Sequence, residues 1–148
     1  MKYLLYLTAL ISFSLRSQST IDTVNQEMVS MSHTIEKPFK VGSVYYKRGE
    51  NTPFTGVLFG KYENGNYLSI QEYKNGVGNG LWINYYPDGT IEEKGTYKNN
   101  RVEGPVWQYY PNGSLKAQGQ YEHWRKKVGR WKFYDPNGKL KKTVIYPS

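Results

Sequence analysis

From about residue 41 to the C-terminus, short aromatic and β-branched runs alternate with breaks rich in Gly, Asn and Pro. Leu81-Trp82-Ile83-Asn84-Tyr85-Tyr86 is representative. Residues of this kind suit a pleated, half-buried strand. Pro87-Asp88-Gly89 follows. Proline presets φ for the first corner of a turn, aspartate tolerates the second, and glycine takes the position with φ > 0. Thr90 to Tyr97 then reads as a return strand, closed by the lysine turn Lys98-Asn99-Asn100. The pattern predicts an antiparallel hairpin.

The hairpin recurs. Glycines at 56, 80, 104 and 129 are spaced by 24, 24 and 25 residues. Each is followed nine residues later by Gly65, Gly89, Gly113 or Gly138, and eight residues after that by Tyr73, Tyr97, Tyr121 or Tyr146. The only change of length falls in Glu122–Val128, where an insertion between units belongs in a turn. The turns Pro111-Asn112-Gly113 and Pro136-Asn137-Gly138 repeat the chemistry, and Glu63-Asn64-Gly65 is a version without proline. Lys74-Asn75-Gly76 is the matching lysine turn, with Asn100 standing where Gly76 stands; asparagine is the next best residue at positive φ. Hairpin chemistry at a fixed period predicts an all-β fold: a single-layer, elongated antiparallel sheet of about four stacked hairpins.

Strict alternation assigns faces. It places Tyr67, Ile91, Leu115 and Leu140 on one face with the tyrosine column, and between them a low column, Gln71, Gly95, Gly119 and Val144, into which a neighbouring side chain can pack. On the outgoing strands Leu58/Trp82/Val106/Trp131 and Phe59/Ile83/Trp107/Lys132 have opposite parity. Both faces therefore carry large side chains, and a single layer leaves some of them exposed.

Residues 1–19 have the layout of a secretory signal: Lys2, an apolar stretch from Tyr3 to Leu15, then Ser17-Gln18-Ser19 before Thr20. No cysteine follows, which excludes lipoprotein attachment, and the cysteine-free chain has no disulfide framework or thiolate site. A periplasmic or secreted location is expected. Residues 20–40 read as a linker or loosely docked arm, with a short helix around Asp22–Ser32 capped by Asp22, and the repeat domain as 41–148. Glycine and aromatic content argue against a helical bundle and against a disordered tail. The formal charge is +8, or +6 (18 basic minus 12 acidic) once Lys2 and Arg16 are removed. With no compact Arg/Lys block, nucleic acid is not the expected partner; another protein, or an anionic envelope surface or glycan, is.

Catalysis finds little support. His33 falls in the arm and His123 in a turn, Glu92 and Glu93 are strand neighbours expected on opposite faces, and no phosphate loop or metal-ligand spacing occurs. No enzyme activity and no cofactor is expected. Binding has more support. Trp82, Trp107 and Trp131, and Tyr85, Tyr86, Tyr109, Tyr110 and Tyr134, recur in register as a candidate row of rings for peptides, sugars or cations. Trp124-Arg125-Lys126-Lys127 is the densest basic cluster, and it suits an anionic group. The sheet edges at 41–58 and 138–146 are open to pairing between copies.

The unit G-x-W-x-x-Y-Y-P-[DN]-G, closed by G-x-Y-K-[ND]-[GN], resembles the MORN repeat, most closely the variant found in bacterial YwqK-family antitoxins. Gly80, Trp82, Tyr85, Tyr86, Gly89, Gly95, Tyr97 and Lys98 carry the resemblance, and it extends over roughly 54–146. The first unit departs from it, with Leu58 for the aromatic and Gln71 for the return-strand glycine, as a terminal cap would. In the third unit the aromatic moves to Trp107, which puts its ring on the other face. The resemblance implies a binding or scaffolding module. Toxin neutralisation and binding of envelope carbohydrate or choline are the alternative expectations.

Overall fold

The computed structural model describes residues 20–148; the proposed signal segment lies outside them. The chain runs through β1 (Met28–Ser30), a single 3-10 turn (Met31–His33), β2 (Thr34–Pro38) and β3 (Ser43–Lys47), then enters the repeats. These are β4 (Gly56–Lys61) and β5 (Tyr67–Lys74); β6 (Val77–Tyr85) and β7 (Ile91–Lys98); β8 (Arg101–Val102), β9 (Gly104–Tyr109) and β10 (Leu115–Glu122); and β11 (Lys126–Tyr134) and β12 (Leu140–Tyr146). The fold is all-β: one ten-stranded sheet in the order β1-β4-β5-β6-β7-β9-β10-β11-β12, with β8 beside β7, and a separate β2–β3 hairpin.

Both kinds of turn follow the expected chemistry. Asn75-Gly76 and Asn99-Asn100 have φ of 51°, 77°, 50° and 66°, the double left-handed corner that matches strand twist. At the opposite end of each hairpin, the residue before the turn glycine or its neighbour folds back: Asn64, Asp88 and Asn112 each accept from the backbone N–H two residues on, at 2.9–3.0 Å. These turns are also tied to one another. The Tyr62, Tyr86 and Tyr110 hydroxyls donate to the carbonyls of Tyr85, Tyr109 and Tyr134 at 2.8, 2.9 and 3.0 Å. Asn64 and Asn112 amides donate to the Pro87 and Pro136 carbonyls of the next turn. Neighbouring units are thus joined by side-chain bonds at the turn end as well as by the strand ladder.

One tryptophan-lined face holds the main core. Leu58, Trp82, Val106 and Trp131 are buried, at 0–2% exposure, among Tyr73, Tyr97, Tyr121 and Tyr146. The glycine column is what admits the indoles. A Cβ at Gly95 would lie 2.8 Å from Cζ2 of Trp82, and one at Gly119 would lie 2.6 Å from Cγ of Trp131 and closer still to Cδ2 and Cε2. Because unit three has Val106 in place of the aromatic, the space above Gly119 is filled by Trp131 from the following unit.

The parity reading needs correction at one point in every unit. Between Gly60/Lys61, Asn84/Tyr85, Gln108/Tyr109 and Phe133/Tyr134 the register slips, leaving Leu68, Glu92, Lys116 and Lys141 as extra residues on the return strands. A bulge of one residue flips the face of all that precedes it. Ile91 therefore packs on the face opposite Tyr97, with Leu81, Ile83 and Tyr85, against Val57, Ile70 and Ile21. The same bulge overturns the expectation for Glu92 and Glu93: both line one small cavity of about 110 Å³.

The arm is also corrected. No helix spans Asp22–Ser32; Asp22 instead closes a tight turn by accepting from the N–H groups of Val24 and Asn25. Ile21 is buried, and β1 adds to β4 in parallel, Val29 opposite Leu58. The segment is a docked cap, and the boundary expected at 40/41 falls inside the β2–β3 hairpin. β1 also covers the edge expected to be open at 41–58, so that β1 and β12 are the terminal strands of the sheet. Gly76 and Asn100 fasten the hairpin: the Tyr45 N–H donates to the Gly76 carbonyl at 2.8 Å, and the Asn100 amide donates to the carbonyls of Val41 and Ser43 at 2.7 and 2.9 Å.

Candidate binding surfaces

The aromatic residues singled out by their spacing separate into three groups. Trp82 and Trp131 are core residues at 2% and 0% exposure and offer no binding surface, because each indole lies flat over a glycine of a neighbouring strand. Tyr86 and Tyr110 belong to the hydroxyl ladder of the turns. Trp107, Tyr109 and Tyr134 remain partly accessible, with Tyr85, on the face opposite the tryptophans.

The basic cluster is divided as well. The inserted turn holds His123, Trp124 and Arg125 in succession at φ of 40°, 66° and 69°. Three non-glycine residues in the left-handed region cost roughly 1–2 kcal/mol each. That conformation aims Trp124 outward, 57% exposed, and returns Arg125 over the tryptophan face, where it pairs with the buried Glu93 carboxylate. The Arg125 guanidinium lies 5.6 Å from the Trp82 ring and 5.5 Å from the Tyr121 ring. Gln108 donates to the other Glu93 oxygen at 2.9 Å. Burial works to lower the Arg125 pKa, but the bond and charge of Glu93 outweigh it and the net shift is upward. Lys127 sits in a second set of rings, 4.6 Å from Trp131, 5.3 Å from Phe133 and 5.7 Å from Tyr146. Both aromatic cradles on this face are filled by the chain's own cations; Arg125 keeps 48% of its side chain accessible, and Trp124 and Lys126 are exposed beside it.

Two open concavities stand out among the described residues. The first is a groove of about 830 Å³ between the β2–β3 hairpin and the lysine turns. Pro38, Phe39, Val41, Val44, Tyr46, Pro53 and Val77 give it an apolar floor, while Lys37, Lys40 and Arg101 stand on its walls with no carboxylate among the lining residues. Phe39, at the hairpin tip, is 52% exposed. Sequence reasoning missed this groove, since its two walls come from segments far apart in the chain. The only local signal was the turn Pro38-Phe39-Lys40-Val41-Gly42, with an aromatic where a polar residue is usual.

The second is a trough of about 390 Å³ on the face opposite the tryptophans, lined by Pro105, Trp107, Gln118, Gln120, Arg130 and Lys132 and by the backbone between them. A single cross-strand row runs through it. Phe59, Ile70 and Ile83 are followed in direct register by Lys94, Trp107, Gln118 and Lys132. The apolar part of the row is covered by Ile21 and Met28 of the cap; from Lys94 onward the row is polar, basic and open.

A row of β-hairpins in fixed register, capped at one end, with its rings divided between a closed core and an open face, is the architecture of a repeat module suited to protein binding. The chain belongs to the MORN repeat variant family, whose profile matches residues 54–75, 79–99, 103–123 and 127–146. No curated protein matches it.

Proposed function

We propose that the chain is an exported repeat module that binds another protein at the cell envelope and catalyses no reaction. The groove beside the β2–β3 hairpin carries this reading. It combines a continuous apolar floor with three cations that have no counter-charge within it. An extended segment of a partner protein, presenting an apolar side chain next to carboxylates, meets both demands. Export rests on the layout of residues 1–19.

Cell fractionation with N-terminal sequencing, followed by capture with the mature protein as bait, tests the reading. A mature N-terminus at Thr20 outside the cytoplasm, and a partner held by the wild type but lost from Phe39→Ser and Lys40→Glu baits, is the expected result. Recovery in the cytoplasm with Met1 intact overturns export and makes toxin neutralisation the leading alternative. A partner held equally by wild type and groove variants overturns the groove.

A further inference from the structure

We infer that the open half of the face opposite the tryptophans binds a strand of acidic polysaccharide lying across β7, β9, β10 and β11. Lys94, Trp107, Gln118 and Lys132 are aligned in cross-strand register, so they recur at one strand spacing, about 4.8 Å, and Lys94 to Lys132 spans roughly 14 Å. That step is close to the advance of one sugar residue along an extended chain. Lys94, Arg130 and Lys132 form no ion pair among the described residues, and no carboxylate lines the trough. The Lys94 ammonium lies 5.5 Å from the Trp107 ring. Partial burial holds its pKa below the ordinary lysine range, as expected of a cation without an anion. Gln118 donates to the Tyr134 hydroxyl at 3.2 Å and keeps its amide oxygen free, while Gln120 is exposed beside it.

These groups match the parts of an acidic sugar. The indole offers a flat face to a pyranose ring, the amides accept and donate to hydroxyls, and Arg130 and Lys132 in the trough, with Lys94 next to Trp107 in the row, meet carboxylates. A peptide fits less well, because the trough has no pocket for an apolar side chain besides the Trp107 ring. A single-stranded nucleic acid needs successive stacking platforms, and the open half of the row, from Lys94 to Lys132, carries a single ring. The trough shares no lining residue with the protein-binding groove, so the two sites stand or fall separately.

Affinity electrophoresis of the mature protein through native gels tests this, with polygalacturonate, dextran, polyglutamate or oligothymidine cast in the gel. The expected result is retardation by polygalacturonate alone. Trp107→Leu, and Arg130→Gln combined with Lys132→Gln, should each weaken it by about tenfold or more, whereas Lys126→Gln should leave it unchanged. Circular dichroism establishes that each variant is folded, and the charge variant alters only accessible side chains. Equal retardation by polyglutamate or oligothymidine overturns the inference, since the trough then reads charge alone or a different polymer. So does a loss on Lys126→Gln equal to that of the trough variants, or a Trp107→Leu variant that binds as the wild type does.

Discussion

Replacing Gly119 by alanine adds one methyl group where the Trp131 indole already lies. The new Cβ would fall 2.6 Å from Cγ of that ring and nearer to two other ring atoms. The ring has nowhere to retreat. It is fully buried, with Tyr121 at 5.2 Å, Phe133 at 6.0 Å and Tyr146 at 6.3 Å between ring centres, and its N–H donates to the Gln120 carbonyl at 3.1 Å. Overpacking of this kind costs about 1–3 kcal/mol. Loss of the indole bond adds about 1 kcal/mol. Gly119 has an ordinary strand φ, so alanine recovers roughly 0.5–1 kcal/mol of backbone entropy. The net expectation is a loss of about 2–3 kcal/mol. Urea unfolding reads this as a fall of roughly 1 M in midpoint at unchanged slope. Gly113→Ala is the control: its φ is +80° but nothing lies within 4 Å of the added atom, so only the conformational cost of about 1–2 kcal/mol applies. The cost of Gly119→Ala should also shrink in a Trp131→Leu background, because the two changes share one space. A Gly119→Ala cost below that of Gly113→Ala, or one that persists in full without the indole, would refute the packing argument.

Asn100→Ala removes both bonds from the amide to the β2–β3 hairpin and a bond that Oδ1 accepts from the Gly78 N–H, and it leaves φ at 66°. A loss of about 1–3 kcal/mol is expected, together with faster proteolytic cleavage between Thr34 and Lys47 in a timed digest. Glu93→Gln strips the carboxylate from Arg125, whose side chain is 48% exposed and can be solvated, so about 1–2 kcal/mol is expected in the same urea assay. Alkaline titration should be cooperative with unfolding. Burial raises the pKa of Tyr73, Tyr97, Tyr109 and Tyr121, so the folded state favours the neutral phenol. Stability should be intact below the unfolded tyrosine pKa of about 10 and fall above it, with part of the tyrosinate absorbance appearing only as the circular dichroism signal collapses.

The period was readable because its marks are positions that few residues can occupy: left-handed corners at Gly65, Gly89, Gly113 and Gly138, and the glycines beneath Trp82 and Trp131. The bulge was not readable. Leu68, Glu92, Lys116 and Lys141 form no common residue type across the four units, since the bulged position is exposed in each and several side chains suit it. The hairpin at Thr34–Lys47 escaped for a related reason: β2 is exposed along most of its length, and its stability comes from pairing and from Asn100, more than fifty residues away. The binding surfaces were partly readable. Composition found the rings and the cations, but which cation lies over which ring depends on the left-handed turn at His123–Arg125, whose direction no local pattern encodes.

The sheet is finished differently at its two ends, with β1 laid parallel on β4 and β12 antiparallel on β11. Under tension this makes the molecule directional. A pull on the C-terminus finds β12 held by one ladder and can strip strands away in order, each unit of 24 or so residues releasing roughly 80 Å of chain. A pull on the N-terminus must instead shear the cap from β4 and draw Ile21 out of the core before any hairpin opens. Held by the body of its sheet, the protein would lengthen in steps when pulled by its C-terminus, and would yield first at the cap when pulled by its N-terminus.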